Sequence, residues 1–250
     1  MSELESDFYV GYLPNAPAEL ARRVRTIVMA LTLISLLLAA VLVLSQSGFG
    51  HGVFEYGHER EFRGVIEAAP YPVLVVDRPG GGSSRYLLSS VGKHGALPLV
   101  KDFVARPVIV RGTLAYRDGM TMIEIADDGL KFDDSIRPYQ TASEMSEGSI
   151  TLRGEIVDSK CYLGVMKPGN TKVHRDCAAR CISGGIPPVL LVRDADGNAS
   201  YYLLVGKNGE TLNDSVLDLI AEPIEVTGEL RRCGELLSLR ADPATFRRLN

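Results

Sequence analysis

One stretch of the chain has no polar face. Thr26 to Leu44 reads TIVMALTLISLLLAAVLVL, with no charged residue. At ~1.5 Å per residue it makes a helix roughly 28 Å long, close to the thickness of a bilayer's hydrocarbon core. A buried core helix would show polar positions within five turns. A cleaved leader would have an apolar run of about 7–15 residues and a short basic start, with Ser45-Gln46-Ser47 as its cleavage site. Arg22, Arg23 and Arg25 precede the run, and the next Arg or Lys is Arg60. Positive charge stays on the cytoplasmic side. The pattern predicts a single-pass protein of the cell (inner) membrane. It would have a cytoplasmic tail (1–25), a transmembrane helix (26–46), a spacer (47–59) and an extracytoplasmic remainder.

Beyond the spacer the apolar runs become short and come in pairs. VARPVIVRGTL (Val104–Leu114) and IAEPIEVTGEL (Ile220–Leu230) agree at five of eleven positions. Four more pieces recur in the same order: Arg63-Gly64 with Arg153-Gly154, Pro72–Val76 with Pro188–Val192, Tyr86–Leu88 with Tyr202–Leu204, and Val91–Gly95 with Val205–Gly209. This register predicts an internal duplication. Val73–Asp77 and Val189–Arg193 read as short strands followed by turn chemistry. Pro107 and Pro223 open strands, where a missing N–H costs least. Val108–Leu114 and Ile224–Leu230 alternate toward hairpins at Asp118-Gly119 and Cys233-Gly234. Leu97–Val104 and Leu212–Ala221 read as short helices. The expected fold is mainly β, with two tandem OB-like barrels at 60–132 and 150–250. A two-layer sandwich is the alternative, and the Ser-, Asp- and Glu-rich segment 133–149 reads as a linker.

The copies differ in one place. Gly64 to Pro72 is eight positions, whereas Gly154 to Pro188 is 34, so the second copy holds an insert at 159–185. Three of the four cysteines lie in it, and the first copy has none. The scaffold can therefore be built without them, and loops on a rigid scaffold carry function. A helix over Val173–Ile182 would put His174, Cys177 and Cys181 on one face, with Cys161 approaching after Asp158. On this modular reading the first domain would stay folded if the insert loosened.

Three chemistries fit Cys161, His174, Cys177 and Cys181. One is a disulfide among Cys161, Cys177, Cys181 and Cys233, as is usual outside the cytoplasm. The second is a metal site: Cys₃His suits zinc, and thiolates with the Met166 thioether suit copper. The third is thiol redox, with His174 and Arg175 near the cysteine pair. No C-x-x-C-H marks haem c. Lys93 and Lys207, in the repeated V-G-K-x-G, read as a turn signature. His51 and His58 read as part of a polar spacer.

Composition narrows the rest. Hydrophobic residues are 46% and charged residues 23%, which excludes wholesale disorder. A net charge of −4 lacks the basic footprint of a nucleic-acid partner. There is no Ser/His/Asp order, P-loop or dinucleotide fingerprint, so the sequence assigns no enzyme activity and no nucleotide cofactor.

Gly154, Asp158, Cys161, His174, Cys177, Ala178, Cys181 and Gly184 form G-x-x-x-D-x-x-C followed by H-x-x-C-A-x-x-C-x-x-G. This segment resembles a motif of bacterial membrane-anchored extracytoplasmic domains. The resemblance covers about 40 residues and implies a small β-domain in a redox or metal setting. CAARC also looks like the C-x-x-x-C of membrane-anchored copper chaperones for cytochrome oxidase, but those have a thioredoxin fold with βαβ order. The expected function is an extracytoplasmic accessory protein of a redox or metal system, whose partners are other membrane or extracytoplasmic proteins. The alternative is a non-enzymatic assembly module with a disulfide-stapled insert.

Overall fold

The computed structural model describes residues 16–46, 52–133, 135, 144–165 and 174–249. The chain divides into two compact units, Met1–Phe49 and Gly50–Asn250.

The first unit contains helix α1 (Ala18–Gln46). It starts eight residues before the apolar run because AELARRVR is rich in strong helix formers. Glu19 in its first turn complements the helix dipole and pairs with Arg22 and Arg23, each at 3.9 Å. Its apolar side chains are exposed along its length. Among the described residues, α1 is the helix long and apolar enough to cross a membrane.

The second unit is mainly β, with two six-stranded sheets. The first has β1 (Val53–Phe54), β2 (Arg60–Glu67), β3 (Val73–Asp77), β4 (Ser83–Ser89), β5 (Pro107–Arg117) and β6 (Met120–Phe132). Its order is β1-β5-β2-β3-β4-β6, and β5 also pairs with β6. The second has β7 (Met145–Asp158), β8 (Pro188–Arg193), β9 (Ala199–Gly206), β10 (Pro223–Cys233), β11 (Leu236–Ala241) and β12 (Arg247–Arg248). Its order is β11-β9-β8-β7-β10-β12, and β10 also pairs with β11.

The duplicated residues occupy equivalent places. Pro107 and Pro223 are the first residues of β5 and β10. Gly64 faces Val108 and Gly154 faces Ile224. Val73 faces Leu87, and Val189 faces Leu203. The two glycines recur for one reason: a Cβ on Gly64 would lie 2.1 Å from the Val75 carbonyl oxygen, and one on Gly154 would lie 2.2 Å from that of Leu191. Ala105 and Ala221, also equivalent, both adopt positive φ.

The connections differ in detail from the sequence reading. The first predicted helix is α2 (Leu97–Val100), continued by a 3-10 turn at Lys101–Phe103, and the second is a 3-10 stretch at Asp214–Leu219. Strand β7 begins at Met145, inside the predicted linker, because Met145–Ser149 pair with the outer part of β10. Residues 134 and 136–143 of that linker lie outside the described residues.

Each sheet has its own apolar core, centred on Ile66, Leu74 and Val108 in the first and on Ile156, Leu190 and Ile224 in the second. A third core joins them. Val73, Val75, Leu87 and Met122 from the first half pack with Val157, Val189 and Leu203 from the second. Cys161, Tyr162, Leu163 and Cys181 of the insert complete it, with Ile186 just beyond the insert. The Tyr71 hydroxyl accepts the Leu212 N–H at 2.9 Å across the same seam. The insert is therefore not an appendage of one copy. It is packing material between the two.

Candidate functional site: a three-thiol centre at the seam

The site is built from both ends of the insert. At one end, Asp158 closes β7 and is almost fully buried. Its Oδ1 accepts the backbone N–H groups of Lys160 and Cys161. These bonds tie the chain into the turn Cys161–Val165 and aim Cys161 inward. At the other end, helix α3 (Arg175–Ser183) presents Cys177 and Cys181 one turn apart. The helix stops at Gly184-Gly185, and the N–H of Ile186 returns to the Cys181 carbonyl at 3.0 Å. Residues 166–173 between these ends lie outside the described residues, so the position of Met166 does too.

The thiols of Cys161, Cys177 and Cys181 lie within 4.8 Å of one another. Cys161 Sγ is 3.3 Å from Cys181 Sγ, and both residues are buried, whereas Cys177 is half-buried. No disulfide joins Cys161, Cys177 and Cys181 to one another. Two expected members are not in this group. His174 was expected on the cysteine face. The helix starts at Arg175, which makes His174 its exposed N-cap residue with extended backbone. Cys233 was expected as a pairing partner. It closes the β10–β11 hairpin and lines a separate cavity of about 320 Å³ with Glu67, Tyr71, Arg85 and Glu144.

The residue that completes the centre comes from the other copy. Lys93 reaches across the seam, with Nζ 2.6 Å from Cys177 Sγ, 3.6 Å from Cys181 Sγ and 3.8 Å from Cys161 Sγ. Burial alone would lower the pKa of this ammonium. The hydrogen bond to Cys177 and the charge available on all three sulfurs outweigh that and raise it. The thiols respond as a coupled set. Hydrogen bonding from Cys181 is the main cause that pushes Cys161 down to about 7, with Lys93 adding to it. Its role as donor to Cys161, together with burial, pushes Cys181 strongly up, and burial raises Cys177. The centre thus favours one thiolate, held by neighbouring S–H groups and by an ammonium. Burial also raises the Asp158 carboxyl, against its backbone donors.

Lys93 is held in place by a second lysine that sequence reasoning missed. Lys160, with 1% of its side chain exposed, sends Nζ to the carbonyls of Ser90 and Gly92 at 2.6 Å each and pairs with Glu124. The Gly95 N–H donates to the Gly184 carbonyl at 2.8 Å. A Cβ on Gly184 would lie 1.9 Å from the Lys93 carbonyl oxygen, so only glycine allows this approach. A charged residue beside the first insert cysteine, with no counterpart in the first copy, was the available signal for Lys160. Lys93 had none, because its motif recurs at Lys207, which is exposed.

No protein-family model matches the chain. The anthranilate phosphoribosyltransferase of Rhodococcus opacus (strain B4) is 30% identical over 120 residues, covering 45% of this chain and 32% of that enzyme. The chain therefore spans about a third of the length of the curated relative it matches.

Proposed function

We propose that this protein is a membrane-anchored accessory factor of a redox or metal system that holds a soft metal ion on Cys161, Cys177 and Cys181. The observation that carries the reading is the convergence of three thiols from the two ends of one insert. Thiolates are the preferred ligands of copper(I) and are good ligands for zinc. A metal–sulfur bond of about 2.3 Å places neighbouring sulfurs roughly 3.8 Å apart in a tetrahedral set. The separations here, from 3.3 Å up to 4.8 Å, bracket that value. Lys93 Nζ now holds a cation's place against the three sulfurs, so a metal ion would displace it from them.

The setting follows from the rest of the chain. Three arginines before α1 favour a cytoplasmic N-terminus and a β-unit outside, where partners would be other membrane or extracytoplasmic proteins. The pairings of β5 with β6 and of β10 with β11 support two closed, OB-like barrels, because they join opposite margins of each sheet. The motif shared with bacterial membrane-anchored extracytoplasmic domains agrees with this placement.

The test is metal analysis of the reduced full-length chain in detergent, after loading with zinc or copper(I) and desalting. One metal per chain, with the three insert thiols protected from alkylation, supports the proposal. The absence of retained metal with all three thiols reactive would overturn it. A second reading, a disulfide-stapled assembly module, is favoured by the contact between Cys161 and Cys181. It predicts that the unreduced chain carries that bond and keeps no metal.

A further inference from the structure

The contact between Lys93 and Cys177 has a chemistry of its own. Nζ and Sγ are 2.6 Å apart. That is shorter than the ~2.9–3.0 Å typical of an N–H···O bond, although sulfur is the larger atom. It is the spacing that a single oxygen, bonded once to nitrogen and once to sulfur, would impose. Among the described residues, the hydrogen-bond partners of Lys93 Nζ are the three sulfurs. Cys177 is also the half-buried thiol of the three, so a small oxidant reaches it first.

We infer that Lys93 and Cys177 are the site of an oxidative cross-link, a nitrogen–oxygen–sulfur bridge formed with dioxygen. Written for the neutral groups, the balance is Lys–NH₂ plus Cys–SH plus O₂ giving Lys–NH–O–S–Cys plus H₂O. The O–O bond breaks, and N–O and O–S bonds form. One hydrogen from the nitrogen and one from the sulfur leave with the second oxygen as water. Four electrons pass to dioxygen, two from nitrogen and two from sulfur. The bridge would bond the turn of one copy to the insert of the other and would remove one thiol from the centre. It goes beyond the metal reading and needs no metal, so it stands or falls separately.

The experiment is peptide mass analysis of metal-free, full-length protein purified in detergent, in air and under anaerobic conditions, without reductant. The expected aerobic product joins the Lys93 and Cys177 peptides, heavier by one oxygen and lighter by two hydrogens than the two peptides together. It is absent from the anaerobic sample and is lost on treatment with a thiol reductant. Lys93→Arg and Cys177→Ser chains should lack it. An aerobic wild-type sample whose Lys93 peptide is unlinked overturns the inference, whether its thiols are free or paired as a Cys161–Cys181 disulfide. The decisive sample is wild type, so poor folding of a variant leaves the test intact. Metal retention by the reduced protein is read separately.

Discussion

The same five-residue turn occurs twice in this molecule and does two different things. Val205–Gly209 ends β9 with Lys207 exposed to solvent. Val91–Gly95 follows β4 and carries Lys93 into contact with three sulfurs. The strands that deliver the two turns share their register, so the strand framework does not explain the difference. What differs is the neighbour. The insert of the second copy lies against the first copy's turn: Lys160 binds the Ser90 and Gly92 carbonyls, and the Gly184 carbonyl accepts the Gly95 N–H. Duplication here supplied a spare turn, and the insert gave one of the two a task.

The largest expected break in this comparison comes from Lys160→Met. The substitution keeps most of the volume but leaves Glu124 and the Ser90 and Gly92 carbonyls without their cation. Removing one partner of a buried pair costs about 3–5 kcal/mol. Urea unfolding of the full chain should show that loss as a lower midpoint, while Lys207→Met leaves the midpoint unchanged within error. Equal effects at the two sites would mean that Lys160 does not hold the seam.

Much of this framework could be read from the sequence. Paired runs such as Val73–Asp77 and Val189–Arg193, and the glycines Gly64 and Gly154, obey local rules of strand alternation and close approach. They therefore predict their own places, as did the apolar run of α1. The convergence of Cys161 with Cys177 and Cys181 was also legible, because the first copy served as a control without cysteines. The role of Lys93 was not. It depends on a contact between residues 93 and 177, which no local pattern encodes, and its repeat at Lys207 argued for a turn signature. The insert's place between the sheets was hidden for the same reason. Leu163 and Ile186 look like ordinary core residues of one copy, yet they pack in the core shared with Val73 and Met122. The expected independence of the first domain therefore gives way to a common seam. His174, expected inside a helix from Val173, instead caps a helix that starts two residues later, at Arg175.

Two glycine experiments rank next. Gly184→Ala forces a methyl group against the Lys93 carbonyl, and overpacking of this kind costs about 1–3 kcal/mol. It should also disturb the thiol centre, seen as faster alkylation of Cys161 and Cys181 in the folded chain. Gly64→Ala and Gly154→Ala meet equivalent carbonyls. Their losses should match each other and leave thiol reactivity unchanged. Unequal losses would weaken the equivalence of the two copies.

Lys93→Met against Lys207→Met sharpens the comparison without a large change in stability. In the parent chain the most acidic thiol of the centre titrates at about 7, below its ordinary value of 9.0. A depressed pKa contributes stability that is fully present above the unfolded value and is lost as pH falls through the folded one. Lys93 is one cause of the depression, so Lys93→Met should move the pH midpoint of thiolate absorbance upward. Lys207→Met should leave it in place. A midpoint indifferent to Lys93 would leave hydrogen bonding among the thiols as the sole cause.

The smallest expected effect concerns Arg63 and Arg153, the repeated arginines that precede Gly64 and Gly154. Each is mostly exposed and ends on a different acid. Arg63 pairs with Asp133 at 2.9 Å, and Arg153 pairs with Glu225 at 2.9 Å, where Arg247 also binds. The hydrogen bond from Arg153 is the leading cause that lowers the Glu225 carboxyl, and Arg247 adds to it. For Asp133 the leading cause is Ser135, with Arg63 contributing less. Both carboxylates therefore add stability above the ordinary carboxylate range and lose it as pH falls through their lowered values. The difference between parent and Arg153→Ala should be small at neutral pH and should vanish in acid, where Glu225 is protonated in both chains. Arg63→Ala should show a smaller difference with the same sign, because Ser135 keeps Asp133 low without it. Thermal midpoints measured from neutral to acid pH check this. A difference that persists unchanged in acid would show that the arginine stems act by covering apolar surface rather than by charge, and the two copies would then differ at this position in packing alone.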